Sequence, residues 1–170
     1  LTLGIDPELF TYDQIRKFFS KNNKIKFIKK NLVDKIKKQR IYSSNLFYSL
    51  NEKIVGESTS SKINKISKYL KKKNSDFIFV SAPENVAWIL NIRGKDAPNS
   101  PVPNSRLIIS KTKKIFLISK IQKVKKLIKE KIIKEKKINL DQLININDFQ
   151  KKIQQLKGDS FIIDDKSCSV

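Results

Sequence analysis

The sequence predicts an α/β fold in which a mixed β-sheet is flanked by helices, preceded by part of a related unit. Amphipathic segments with helical spacing alternate with short apolar runs along the 170 residues, the order expected when helices cover a sheet. The hydrophobic content of 39% is that of a globular chain. A hydroxyl cap, an amphipathic helix, a polar break and an apolar strand occur at 11–28 and again at 58–80, which indicates two related units.

Residues 1–38 are predicted to form the carboxyl-terminal part of the first unit. Thr11 and Gln14 are three residues apart and form a capping-box pattern that starts a helix. The predicted elements are a strand at 1–6 closed by Pro7, a helix that starts at 11 and ends at 22–23, a strand at 24–28 and helical turns at 31–37. Residues 39–56 show little periodicity. We therefore expect a connector there that runs over the surface between two domains.

Residues 57–166 are predicted to form the second domain. A hydroxyl group at 58–59 caps a helix whose isoleucines and leucine share one face, with lysines on the other. The apolar run 77–80 suits a buried strand, and Pro83 suits the first turn of a short helix. The next patterns predict a hairpin over 106–119 and a helix over 121–128, followed by a strand or a prolonged helix over 132–138. Asn147 with Gln150 is predicted to open a last helix, which Gly158 ends, and a strand is predicted over 161–163.

The formal net charge of +21 suggests the phosphate backbone of nucleic acid as a partner. However, lysine, isoleucine and asparagine are abundant together, and lysines occupy nearly every position expected to face solvent. This distribution indicates a compositional bias, and the runs at 71–73 and 134–137 are explained by favourable positive charge at helix ends. Nucleic acid is therefore not the preferred partner. A stand-alone basic module that binds nucleic acid or another polyanion remains the alternative function.

Location is predicted from two features of the composition. No run of about 18 or more apolar residues is present, so no membrane-spanning segment is expected. The single cysteine, Cys168, has no partner for a disulfide within the chain. A free structural thiol and a cytoplasmic location are therefore expected.

The residue types needed for an autonomous active site are largely missing. The chain has no histidine and one cysteine, which excludes Ser-His-Asp and Cys-His nucleophile systems. No set of carboxylates has convincing metal-binding spacing. The four glycines are isolated, so no phosphate-binding loop is present. We therefore expect no catalytic residue, no metal ligand and no cofactor in this chain.

The segment 85–103 contains the residues of most interest. Trp88, the sole tryptophan, lies on a short apolar helix and is predicted to be a structural anchor in the core. Arg93 follows an apolar run and precedes Gly94, whose backbone freedom places the guanidinium at the rim of a packed element. For Arg93, a salt bridge with a carboxylate and contact with a neighbouring domain or a substrate are both open. Three prolines stiffen the loop that follows.

The stretch 87–96, AWILNIRGKD, with 99–102, NSPV, resembles the middle domain of three-domain Xaa-Pro aminopeptidases of the creatinase/prolidase superfamily. The remaining matches follow in chain order: 3–7 and 31–34 resemble the end of the first domain, 56–62 and 75–80 the entry and early strand of the middle domain, 116–118 its hairpin, and 164–167 its exit strand. The resemblance thus spans nearly the whole chain and is strongest over 56–118.

The resemblance implies a creatinase N-terminal-domain-like fold and a non-catalytic role in an enzyme that releases the N-terminal residue preceding proline. The chain is then expected to be a fragment: the end of the first domain at 1–38, the middle domain at 57–166, and at 167–170 the start of a linker to a catalytic domain that is absent here. That C-terminal domain is expected to carry two divalent metals, commonly manganese. It is a partner of this chain within the same polypeptide, and the chain alone is expected to be inactive.

The first two domains of such enzymes help dimerisation and wall part of the substrate cleft. The resemblance therefore implies a homodimer and a peptide substrate with proline at its second position. Arg93 and Asp96, with the loop that continues to Pro103, are the candidates to face that cleft. Lys95 and the lysine load depart from the family's pattern, which concerns surface contacts more than the fold.

Overall fold

The structure is a computed structural model that describes residues 1–19, 21–28, 31–36, 45–129, 142–156 and 160–169. These residues fall into two compact units. Unit one consists of the described residues of 1–36 together with 164–169, and unit two of those from 45 to 163.

Unit one is a parallel pair of strands with two short helices. Its elements are β1 (Thr2–Ile5), a 3-10 turn (Pro7–Leu9), α1 (Tyr12–Phe18), β2 (Lys24–Phe27) and α2 (Leu32–Ile36). The predicted capping box starts α1: the backbone N–H of Gln14 donates to Oγ1 of Thr11 at 3.2 Å, and the backbone N–H of Thr11 donates to Oε1 of Gln14 at 2.9 Å. The strands and helices predicted over the described part of this region are confirmed, except for the end of α1: the helix ends at Phe18 and not at 22–23, because Phe19 already has an extended backbone.

Residues 164–169 return to unit one. The backbone N–H of Lys166 donates to Oδ1 of Asp164 at 3.1 Å, which forms a tight turn. Ser169 then forms an antiparallel bridge with Thr11. The exit strand expected over 164–167 is therefore wrong, because the aspartate side chain binds the backbone two residues later and turns the chain.

Unit two is built on a five-stranded mixed sheet with the strand order β8-β7-β6-β4-β9. Its strands are β4 (Phe77–Val80), β6 (Arg106–Ser110), β7 (Ile115–Ser119), β8 (Leu143–Asn145) and β9 (Phe161–Ile162), and a separate antiparallel ribbon pairs β3 (Tyr48–Ser49) with β5 (Ile92–Arg93). Strand β6 runs antiparallel to β4 and β7, whereas β8 and β9 are parallel to their neighbours. This arrangement confirms the predicted mixed sheet.

Helices cover both faces of this sheet. They are α3 (Glu52–Val55), α4 (Thr59–Lys72), α5 (Pro83–Leu90), α6 (Ile121–Lys129) and α7 (Phe149–Gln155). One core joins α4, α5 and α6 to the face that carries Leu107 and Leu117, and a second core joins α7 to the face that carries Ile108 and Ile118. Each such side chain is fully buried and contributes about 1.5–3 kcal/mol. Because α5 packs in the first core and β6 in both, the segment 91–105 that connects them is fixed at its two ends.

Residues 47–55 take part in unit two, although their weak periodicity predicts a surface connector. Phe47 is fully buried in the first core, and its backbone N–H donates to the carbonyl oxygen of Lys123 at 2.8 Å. A two-residue strand and a four-residue helix follow. Elements this short have no measurable periodicity, which is why the pattern does not reveal them. Positions 39–44 of the predicted connector lie outside the described residues.

The later elements agree with the sequence patterns in part. The hairpin and the helix after it are confirmed as β6–β7 and α6. The helix expected to open at Asn147 begins at Phe149, because the side chain of Asn145 accepts the N–H of Asn147 at 3.1 Å and forms a 3-10 turn first. Strand β8, with three residues, is too short to predict. The expectations for 132–138 and Gly158 lie outside the described residues.

Candidate functional site

Helix α5 carries Trp88 on the side that faces away from the core. Val86, Ala87, Ile89 and Leu90 are buried, whereas Trp88 is 55% exposed. Two helical positions correspond to a rotation of about 200°, so Trp88 lies opposite the stripe formed by the residues two before and two after it. The predicted core position of Trp88 is therefore wrong, because smaller side chains of the helix already fill the core.

Lys62, on α4, is a buried side chain that contacts the exposed Trp88. Its side chain is almost completely buried, at 2% exposure. The Nζ atom donates to the carbonyl oxygen of Trp88 at 2.6 Å and to Oδ1 of Asn91 at 2.7 Å, and it lies 4.2 Å from the centre of the Trp88 ring. Burial lowers the pKa of Lys62, and the positive charge of Arg93 acts in the same direction. Positive charge at the carboxyl end of α5 is favourable because the helix carbonyls point there.

Asn91 ends α5 and turns the chain into β5. Its backbone has φ 54°, in the left-handed region that asparagine tolerates better than most residues. The side chain is held on both sides: Oδ1 accepts from Lys62, and Nδ2 donates to the carbonyl oxygen of Glu57 at 2.9 Å. The backbone carbonyl accepts from Leu50 at 3.0 Å. Asn91 thus sets the direction in which the chain continues from α5 into β5, which carries Arg93.

Arg93 lies on β5, where it pairs with Tyr48. Its Nη1 donates to the carbonyl oxygens of Ala87 at 3.0 Å and Ile92 at 2.8 Å. Within the described residues, these backbone carbonyls take the place of the carboxylate that one sequence interpretation expected. The side chain is partly exposed, so the guanidinium lies at the rim of α5, as predicted.

Gly94 is required by the close return of the loop and not by an unusual backbone angle. A Cβ atom there would lie 2.8 Å from Cα of Pro103 and 2.9 Å from the carbonyl oxygen of Val102. The backbone N–H of Gly94 also donates to the carbonyl oxygen of Pro101 at 3.1 Å. The interpretation that this glycine serves a positive φ is wrong, since its φ lies outside that region.

Asp96 holds the same loop from inside. Its Oδ1 accepts a hydrogen bond from Nζ of Lys123 on α6, and its Oδ2 accepts from the backbone N–H of Asn104 at 2.7 Å. The two charged side chains are 8% and 9% exposed, so the ion pair is buried. Residues 98–100 at the loop tip are exposed. Asp96 therefore fixes the loop, and the tip is what the loop presents to solvent.

Neither Lys62 nor Lys123 was predicted from the sequence as a site residue. Lys62 shares the buried stripe of α4 with Thr59, Ile63 and Ile66 at helical spacing. That position is the signal from which its burial was predictable. The structure brings Lys62, Trp88 and Arg93 together at the end of α5, whereas Asp96 belongs to the second, separate pair with Lys123.

The described residues do not fit a metal centre. They contain no group of three or more histidine, cysteine, aspartate or glutamate side chains that could hold an ion. No helix in the described ranges is both long enough and apolar enough to cross a bilayer.

The family model for the creatinase/prolidase N-terminal domain matches residues 37–170, most of the chain. The chain belongs to this family. Members to which it is similar include Xaa-Pro aminopeptidase 1 of Dictyostelium discoideum, 32% identical over 124 residues, and Xaa-Pro aminopeptidase ApepP of Drosophila melanogaster, 29% identical over 122 residues. These alignments cover 65% and 68% of this chain but 20% of either relative. The chain thus spans about a fifth of the length of these relatives.

A solved structure supports the fold of this creatinase/prolidase N-terminal domain. The X-prolyl aminopeptidase of Caenorhabditis elegans, described as a cytosolic enzyme with a di-nuclear active site, superimposes with a TM-score of 0.76 over 95% of this chain and 27% of that one. The sequence identity is 21%, so the likeness concerns the fold.

Proposed function

We propose that this chain is the non-catalytic N-terminal and middle portion of a metal-dependent Xaa-Pro aminopeptidase, which releases the N-terminal residue preceding proline. The observation that carries the proposal is the family match over 37–170 together with relatives named Xaa-Pro aminopeptidase. The composition agrees, because a chain without histidine lacks the usual bases and imidazole ligands of hydrolytic sites.

Unit one corresponds, in this proposal, to the end of the first domain, predicted at 1–38, and unit two to the middle domain, predicted at 57–166. The compact units differ from these bounds, because the described residues from 45 to 56 join unit two and 164–169 join unit one. The shape of unit one supports this assignment. A parallel sheet of two strands is rarely stable by itself, and β1 and β2 are the strands that pair in this unit. Large apolar side chains such as Leu9 and Phe27 are more than half exposed on unit one, as expected when neighbouring strands of a larger sheet cover them.

The end of α5 and the loop after it face the substrate cleft in this proposal. Trp88 supplies an exposed aromatic surface and Arg93 a partly exposed guanidinium. Asp96 acts through the loop that it holds, which presents its tip at 98–100. Aromatic and guanidinium groups are the side chains most enriched where proteins bind partners. A homodimer, implied by the resemblance to Xaa-Pro aminopeptidases, and a cytoplasmic location complete the proposal; the structurally similar enzyme of Caenorhabditis elegans is described as cytosolic.

The catalytic domain of the same polypeptide, beyond these residues, holds two divalent metals in this proposal, with manganese as the expected ion. The peptide substrate has proline at its second position. Neither metal is assigned a ligand from this chain, because the described residues do not fit such a site.

The proposal is tested with the purified chain and with a longer polypeptide from the same coding sequence that includes the catalytic domain. Both are incubated with excess manganese and a fluorogenic Xaa-Pro peptide. We expect release of the first residue by the longer polypeptide, sensitive to a chelator, and no release by the chain alone. Turnover that co-purifies with the chain alone, or a longer polypeptide that cleaves peptides without proline equally well, contradicts the proposal.

A further inference from the structure

The topology of unit two brings the end of a helix and the turn of a hairpin to the same end of the five-stranded sheet. Strands β4, β7, β8 and β9 run in one direction, because β6 is antiparallel to both β4 and β7 while β8 and β9 are parallel to their neighbours. The amino ends of the four strands therefore lie at the same end of the sheet. Helix α4 ends just before β4, and the β6–β7 turn lies between β6 and the start of β7. The end of α4 and the turn therefore both lie at this end of the sheet.

Specific contacts join the end of α4 to the β6–β7 turn. The hydroxyl of Ser67 on α4 donates to the carbonyl oxygen of Lys111 at 2.7 Å. Asp76, which follows the helix, accepts the backbone N–H of Lys111 on its carbonyl oxygen at 2.8 Å and the Lys111 ammonium on Oδ1 at 2.5 Å. Two segments some 40 positions apart in sequence are thereby held as one surface, since the Ser67 contact spans 44 positions.

This surface, which we call the lysine end, consists of residues 71–76 and 111–114. It carries six lysines, all exposed: Lys71, Lys72, Lys73, Lys111, Lys113 and Lys114. Its one carboxylate, Asp76, is already engaged by Lys111 and by Ser160, whose hydroxyl donates to Oδ2 at 2.9 Å. The helix dipole accounts for cations in the last turn of α4. It does not account for Lys113 and Lys114, which lie in a turn and the strand entry rather than at a helix end.

Tyr69 adds an aromatic surface next to the lysines at the end of α4, on the side of the helix opposite to Ser67 and the β6–β7 turn. It is 46% exposed on α4. Lys72 and Lys73 follow it by three and four positions, so their side chains lie on the same face of the helix. An exposed ring flanked by cations is the arrangement on which unpaired bases stack while the cations bind the backbone.

We propose that the lysine end binds single-stranded nucleic acid, with lysines on the phosphates and a base stacked on Tyr69. Lysine offers a point charge without the planar fork of arginine, so binding is to the backbone without base specificity. A duplex does not expose base faces to Tyr69, and a lipid surface needs apolar side chains that insert. The activity goes beyond the proposed function and is independent of it. The composition alone did not favour nucleic acid as a partner, and the proposal is limited to this one surface, which two segments build together.

The test measures fluorescence anisotropy of a labelled oligouridylate of about 20 nucleotides over a series of salt concentrations. The triple variant Lys71→Gln, Lys72→Gln, Lys73→Gln is compared with Lys24→Gln, Lys26→Gln, Lys53→Gln, whose three lysines are exposed elsewhere. Both lose three charges. We expect the first to reduce affinity at least 10-fold and to lower the slope of log affinity against log salt by about 2, that is about 0.7 per phosphate contact. The second should stay within about 2-fold of the parent.

Tyr69→Ala tests the base contact, with Tyr69→Phe as its matched control. Loss of a stacked base should weaken oligouridylate binding about 5-fold or more, and phenylalanine should retain it. Circular dichroism checks that each variant is folded. Equal losses in the two triple variants overturn the proposal, as does binding that is unchanged in Tyr69→Ala. A parent chain that prefers duplex DNA or phosphatidylserine vesicles to the oligouridylate also overturns it.

Discussion

The Lys62 ammonium lies 4.2 Å from the centre of the Trp88 ring and donates to the carbonyl oxygen of the same residue at 2.6 Å. One buried side chain thus holds both the exposed ring and the end of the helix that carries it. Burying an ammonium group is costly unless its donors are satisfied. Here the carbonyl, the Asn91 amide oxygen and the ring face satisfy them, so the cluster is expected to be sensitive to any change at Lys62.

Lys62→Met should reduce the free energy of unfolding by about 1–3 kcal/mol, because two buried acceptors lose their donor. Urea denaturation followed by circular dichroism measures this loss. Trp88 is the sole tryptophan, so its fluorescence reports the same cluster directly, and its emission spectrum should change in the variant. Lys68→Met, at an exposed position of the same helix, is the control. Equal effects of the two substitutions contradict the role given to Lys62.

Asp96→Ala should destabilise the chain by about 3–5 kcal/mol, since it leaves the buried ammonium of Lys123 without its carboxylate. Asp96→Leu combined with Lys123→Met removes both charges and should recover a large part of that loss. Chemical denaturation of Asp96→Leu, of Lys123→Met and of the double variant gives the coupling energy. Additive effects would show that the two side chains are not coupled, contrary to the geometry.

Asp76 provides a pH-dependent contribution to stability. The hydrogen bond from Lys111, followed by those from Ser160, lowers the pKa of Asp76 from 3.8 to about 2. A pKa lower in the folded state means that the stabilisation is complete above the ordinary pKa and is lost as the pH falls from about 4 through about 2.

Asp76→Asn should therefore lower stability at neutral pH, and its difference from the parent should shrink as the pH falls from about 4 towards 2. Unfolding free energies measured between pH 6 and pH 2 check this expectation. Lys111→Gln removes the principal cause of the shift, so its pH dependence over the same window should be weaker than that of the parent. A difference between Asp76→Asn and the parent that stays constant with pH contradicts the assignment.

The elements that could be predicted from sequence are those with a repeated local pattern. The capping box at Thr11, the apolar run of β4 and the amphipathic face of α6 each depend on residues within a few positions of one another. Periodicity and capping are local properties, so the sequence carries them directly. The fold class followed from their order along the chain.

The site was less predictable because its contacts join distant positions. Lys62 binds the carbonyl of Trp88, 26 positions away, and Lys123 binds Asp96, 27 positions away. Nothing local distinguishes Lys123 from the solvated lysines of a lysine-rich chain, and Lys62 is marked only by its position on the apolar stripe of α4. Trp88 was placed in the core because of its size, whereas the register of α5 had already given the core to smaller side chains.

Arg93→Met separates a role at the substrate cleft from a structural one. The guanidinium binds two backbone carbonyls through Nη1, so its loss should lower stability by about 0.5–3 kcal/mol. In the longer polypeptide with the catalytic domain, a cleft role predicts in addition a fall of at least 10-fold in kcat/KM for an Xaa-Pro peptide, measured where the variant is fully folded. Lys68→Met, an exposed cation on α4 outside the loop that follows α5, should leave kcat/KM nearly unchanged. If the two variants reduce kcat/KM equally, or if Arg93→Met changes stability alone, Arg93 serves the end of α5 and does not act on the substrate.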